Sequence, residues 1–145
     1  MMNSFTTPQK VALLLLRLTV GSVFLWAGHE KWFIWSGVPE GMPGMTPAMV
    51  NLVMLLSIVE PLGAIALIFG FLTRWAAAGL AIIMTGSLYF VYFVYHIGIF
   101  TTEKGTGMDY NLLLLAGSVV LVAFGPGPYS LDEKFWGRKE SRVYR

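Results

Sequence analysis

The run from Ala48 to Leu72 is apolar enough and long enough to cross a membrane as a helix, since about 20 residues rising ~1.5 Å each span the hydrocarbon core. Glu60 stands near its middle and is followed at once by Pro61. A carboxylate at that depth costs at least ~2.5 to 3.5 kcal/mol on insertion scales, so it faces the interior of a bundle and takes a partner. The first apolar segment offers one, Arg17.

Four apolar segments stand out: 11–28, 48–72, 75–96 and 110–125. Only 12% of the 145 residues are charged and 56% are hydrophobic, against a charged share of about 25% in soluble domains. The expected fold is an all-α integral membrane protein, an antiparallel four-transmembrane-helix bundle forming one domain over residues 1–145. Ser130 followed three residues later by Glu133 fits a capping box and predicts a short interfacial helix over 130–138. A cleavable signal peptide is the competing reading of the first segment, but Arg17 interrupts its apolar run and no small-x-small site follows. The fourth segment is short for a full crossing. The absence of cysteine excludes disulfides, thiolate metal sites and dithiol redox chemistry on this chain. The net charge of +2 gives no nucleic-acid surface.

Four spans put both termini on one side. That side carries Lys10, Arg74, Lys134, Arg138, Lys139, Arg142 and Arg145, whereas the other carries Lys31 and Lys104, so both termini are expected in the cytoplasm. The long outer loop, 29–47, holds Trp32, Phe33 and Trp35 and is expected in the interface.

Glycines recur seven apart, at Gly21 and Gly28, Gly63 and Gly70, Gly79 and Gly86, which predicts a smooth packing stripe on each of the first three helices. Arg17 and Glu60 share the faces of Gly21 and Gly63. Counted inward from the cytoplasmic ends, Arg17 lies about 9 Å deep and Glu60 about 15 to 18 Å, a gap that a guanidinium arm can close. An Arg17–Glu60 pair is therefore the expected intramembrane contact. Pro61 leaves the Ser57 carbonyl without its helical donor, free to hold a water or a ligand hydroxyl.

At the outer helix ends, His29, Glu30, Lys31, His96 and Asp109 are expected at similar depth, beside the aromatic residues Trp32 and Tyr89. His96 continues the stripe Gly86, Tyr89, Phe93 toward the bundle. Two histidines and a carboxylate can bind a metal, ligate haem or exchange protons with a reduced quinone. No spacing is diagnostic; haem ranks last, and no metal site is assigned.

Three segments together resemble the DoxX family of small bacterial and archaeal membrane proteins, which is related to the small DoxD subunit of thiosulfate:quinone oxidoreductase. They are Arg17-Leu18-Thr19-Val20-Gly21 with Ala27-Gly28-His29-Glu30-Lys31; Glu60-Pro61-Leu62-Gly63 with Gly70-Phe71-Leu72-Thr73-Arg74; and Met108-Asp109-Tyr110-Asn111 with the stretch from Gly125 to Asp132. The resemblance implies a four-helix protein of the cytoplasmic membrane linked to quinone or sulfur redox and to oxidative-stress defence. It implies no settled reaction, and Arg17, Glu60 and Asp109 carry over as pattern positions only.

The leading functional expectation is a quinone-linked redox subunit of an oxidoreductase. Glu60, Arg17 and His96 are its catalytic candidates, and His29, Glu30, Asp109, Tyr89 and Trp32 its ligand-binding candidates. The alternative is a non-catalytic membrane anchor or scaffold that docks soluble redox proteins through the basic tail. A small-solute carrier built on Glu60 and Arg17 comes third and requires a homo-oligomer.

Overall fold

The structure is a computed structural model and describes residues 6–37, 46–94, 96, 98–102, 107–127 and 129–140. Helix α1 (Thr7–Glu30) opens with Gln9 accepting from the Thr6 N–H at 2.9 Å and has Pro8 in its first turn, where a missing amide is harmless. It runs on into a 3₁₀ segment, Lys31–Ser36. Helix α2 (Pro47–Phe69) starts behind Thr46, whose hydroxyl accepts from Met49 N–H at 3.3 Å. It ends at Gly70, whose φ of 68° suits a residue without Cβ. Gly70 N–H donates to Leu67 and Phe71 N–H to Ala66, which closes the last turn in a Schellman motif. Helix α3 (Thr73–Tyr89) continues into a π-helical turn, Phe90–Val94. Helices α4 (Asp109–Phe124) and α5 (Leu131–Glu140) complete the chain.

The bundle is antiparallel. Gly21 lies against Ala64 and Ile68 of α2 while Gly28 lies against Pro61, so α1 and α2 run in opposite senses. Asn111 bonds Ser87 near one end of the α3–α4 pair and Arg74 bonds Ala123 near the other. The most extensive contacts are α1 with α2 and α3 with α4; α2–α3 and α1–α4 close the ring. Val20, Phe24, Ala64, Leu67, Ala77, Leu80, Leu114 and Leu121 form the core between them. The outward faces keep Leu15, Leu55, Leu62, Trp75, Ile82 and Leu113 exposed, an apolar coat of the kind a bilayer covers. Three helical stretches, Thr7–Ser36, Pro47–Phe69 and Thr73–Phe93, are long and apolar enough to span a membrane. The 16-residue α4 is shorter, about 24 Å at 1.5 Å per residue.

The glycine stripe holds for α1 alone. On α2, Gly63 faces Leu80 of α3 while Gly70 lies past the helix end, and Gly79 and Gly86 of α3 meet nothing within 4 Å. Tyr95, Lys104, the prolines at 39 and 43, and the basic residues Arg142 and Arg145 lie outside the described residues.

Candidate functional site

The axial register of α1 against α2 decides which polar groups meet. With Gly28 level with Pro61, the end of α1 stops at the middle of α2, and the Lys31–Ser36 segment folds in at that depth, with Ile34 buried. At the other end, Arg17 lies beside Gly70, a position past the end of α2: a Cβ on Gly70 would stand 2.8 Å from Arg17 Nη1 and 2.5 Å from Ser130 Cβ. Arg17 and Glu60 are thus about ten residues apart along α2, roughly 15 Å, beyond the reach of one side chain.

The expected Arg17–Glu60 pair does not form. Glu60, 1% exposed, accepts from Lys31 Nζ at 2.6 Å, and Lys31, 27% exposed, also donates to Ala27 O at 3.0 Å. Arg17, 1% exposed, spreads its guanidinium over two carbonyls, Nη1 to Pro126 at 2.6 Å and Nη2 to Tyr129 at 3.0 Å. Depth counted from apolar boundaries failed because α1 begins at Thr7, a turn before Val11, and extends past the end of α2. The carrier reading built on a shared midplane Arg17–Glu60 site loses its site with this pair.

Ser57 is the centre of the second arrangement. Its carbonyl, deprived of a helical donor by Pro61, accepts from Trp32 Nε1 at 3.0 Å, so it is not free for a ligand. Its hydroxyl accepts from Trp35 Nε1 at 3.0 Å and donates to Met54 O at 2.7 Å. Trp32 and Trp35, with Ser57, Ile58, Pro61 and Leu62, line an open, largely apolar cleft of about 460 Å³. Lys31 and Glu60 are the chain neighbours of Trp32 and Pro61, so the ion pair lies one residue from the cleft wall on each element. Trp35 and Ser57 were not among the expected site residues; the Pro61-freed carbonyl was the signal that pointed to Ser57.

The expected outer convergence is dispersed. His29 packs between Trp26 and Trp32, with ring centroids at 5.9 and 5.1 Å, and Glu30 is exposed. His96 takes a φ of 51° beyond the π-helical turn, so it leaves the Gly86, Tyr89, Phe93 stripe instead of continuing it. Tyr89 is exposed and stacks on Phe93 at 4.9 Å. Asp109 is committed to its own loop, accepting from Thr101 N at 3.0 Å and Thr101 Oγ1 at 2.7 Å. Among the described residues, no group of three or more His, Asp and Glu could hold a metal ion.

The third polar cluster joins the α2–α3 corner to the start of α5. Leu72 and Thr73 N–H groups donate to the two oxygens of Asp132 at 2.7 and 2.9 Å, and Asp132 N–H returns a bond to Gly70 O at 2.9 Å. Asp132 so caps α3 from about 60 residues downstream, beside the carbonyls that Arg17 holds. Ser130 Oγ accepts from Glu133 N–H at 3.1 Å, whereas the Glu133 carboxylate reaches Tyr129 N–H, one residue before the predicted capping-box donor.

The DoxX family model matches residues 12–93, which cover α1 to α3 with Arg17, Lys31, Glu60 and Pro61. The chain belongs to the DoxX family. It is also 30% identical over 129 residues to the inner membrane protein YqjF of Escherichia coli (strain K12), covering 86% of this chain and 92% of that protein. No solved structure matches. With its apolar helices and an inner-membrane relative, this DoxX-family protein is a multi-pass membrane protein. The family match ends before Asp109, so it bears on the Lys31–Glu60 pair and the Ser57 cleft but not on the α4 end of the bundle.

Proposed function

We propose that this DoxX-family protein is a quinone-binding redox subunit of a bacterial or archaeal cytoplasmic membrane, with both termini cytoplasmic. The observation that carries the reading is the cleft of about 460 Å³ walled by Trp32, Trp35 and Pro61, with the buried Glu60 carboxylate and its part-exposed Lys31 partner one residue from that wall. Its size lies in the range of small-molecule sites, and apolar walls with one polar feature are what a flat membrane-dissolved ring requires. Two indoles present broad faces for stacking at low entropic cost. The Lys31–Glu60 pair, one residue along the chain from Trp32 and Pro61, is the charged feature nearest the ring, where His96, His29 or Asp109 was first expected. A partner redox protein exchanges the electrons.

The test is a native mass spectrum of the gently extracted chain. A retained quinone-sized mass, lost in Trp35→Ala and in Glu60→Gln but kept in His96→Ala, supports the reading. A chain that carries only another protein supports the second reading, a non-catalytic anchor. One observation favours that alternative: Arg17, Glu60 and Ser57 all find partners within the chain, as a purely structural interior would. Deletion of 134–145 then abolishes co-purification of the partner.

A further inference from the structure

The end of the bundle where α1 overshoots α2 carries an open groove of about 810 Å³ that the quinone reading does not use. Val11 and Leu14 of α1 and Ile68 and Phe69 of α2 give it an apolar lining, and Lys10 and Lys134 give it two cations. Neither ammonium makes an ion pair among the described residues. The acid on the lining, Glu133, is turned to the Tyr129 N–H.

A wholly apolar occupant leaves the net positive charge of the lining, two lysines against one glutamate, unanswered, and a free soluble anion leaves the apolar lining bare. An amphiphile with one negative group satisfies both. We propose that the groove binds an anionic phospholipid, its phosphate between Lys10 and Lys134 and an acyl chain along Val11, Leu14, Ile68 and Phe69. The position suits it: Lys10 lies in the first turns of α1, beyond the end of α2, where a lysine keeps its stem on apolar surface and its ammonium among headgroups. Arg74, which bonds Ala123 O at the same end of the bundle, adds a third cation to Lys10 and Lys134, and such a cluster draws anionic lipid to this face.

The full-length chain in mild detergent is titrated with phosphatidylglycerol and with phosphatidylcholine of identical acyl chains, and bound lipid is counted by native mass spectrometry. Phosphatidylglycerol is expected to be retained about tenfold better, given the contribution of two lysines near an anionic headgroup. In Lys10→Gln/Lys134→Gln the preference falls to twofold or less while phosphatidylcholine retention stays unchanged. Leu14→Trp, which fills the apolar lining and keeps both lysines, lowers retention of both lipids. Equal retention of the two lipids, a preference that survives the double variant, or displacement of phosphatidylglycerol by millimolar inorganic phosphate would overturn the assignment. The groove lies two to three turns of α2 from the Ser57 cleft, so loss of either site leaves the other measurable.

Discussion

Lys31 reaches into the bundle and places its ammonium 2.6 Å from the carboxylate of Glu60, which is all but sealed from solvent. Removing one member of such a pair strands the other charge in a low-dielectric setting. Lys31→Met is therefore expected to destabilise the detergent-solubilised protein by about 2 to 3 kcal/mol, less than for a fully buried pair because Lys31 is partly exposed. Lys31→Met/Glu60→Met should recover most of that loss. Thermal unfolding of the two single variants and the double variant measures the coupling; additive losses would mean that the pair contributes nothing beyond its separate parts.

Gly28 and Pro61 are in such close contact that a Cβ at position 28 would run into the proline ring. Gly28→Ala is expected to cost about 1 to 3 kcal/mol through overpacking. In a Pro61→Ala background the ring atoms are gone, and the same substitution should cost clearly less. Recovery is partial, because the backbone nitrogen of residue 61 stays 3.1 Å from the added carbon. Comparing the melting temperatures of the four chains checks it.

The long apolar runs were legible because a 20-residue span needs only composition, and the Ser130 cap because its partner lies three residues away. Pro61 announced an orphaned carbonyl at Ser57, but not that Trp32 would fill it, since that depends on where the 3₁₀ segment folds. The partner of Glu60 was misread for the same reason. Lys31 looked like a solvated helix end, yet the slide of α1 along α2 carries it to mid-depth, and no local pattern encodes that slide. Its determinant is the Gly28–Pro61 contact, a match of two surfaces 33 residues apart. Similarly, the outer site assumed helix ends at one level, whereas His29, His96 and Asp109 each end in a different local structure.

Arg17 holds the α4–α5 connection to α1 through two carbonyls at once, a geometry that only a planar fork with several donors provides. Arg17→Lys keeps the charge but serves one carbonyl well, so a loss of about 1 to 2 kcal/mol is expected, with the other carbonyl left short of a donor. Hydrogen exchange should quicken at the amides of Leu72, Thr73 and Asp132, which depend on the same connection, and remain unchanged in the core of α3. A uniform increase across α3 would show that Arg17 supports the bundle generally and not this corner.

Asp132 receives the N–H groups of Leu72 and Thr73 on separate oxygens and so supplies the cap that Leu72, at φ 46°, does not provide for α3. Asp132→Ala is expected to cost about 1 to 2 kcal/mol, the usual range for losing an N-cap. Asp132→Asn keeps one acceptor and replaces the other with a donor that faces an N–H, so it should recover little. Leu72 carries its own cost, because a side chain in the left-handed region is disfavoured by roughly 1 to 2 kcal/mol. Leu72→Gly relieves that strain and gives up only a partly exposed side chain, so it should restore part of the stability lost in Asp132→Ala. Chemical unfolding of the Asp132→Ala chain with and without Leu72→Gly decides the matter: a further loss on adding glycine would mean that the contacts of Leu72 outweigh its backbone strain.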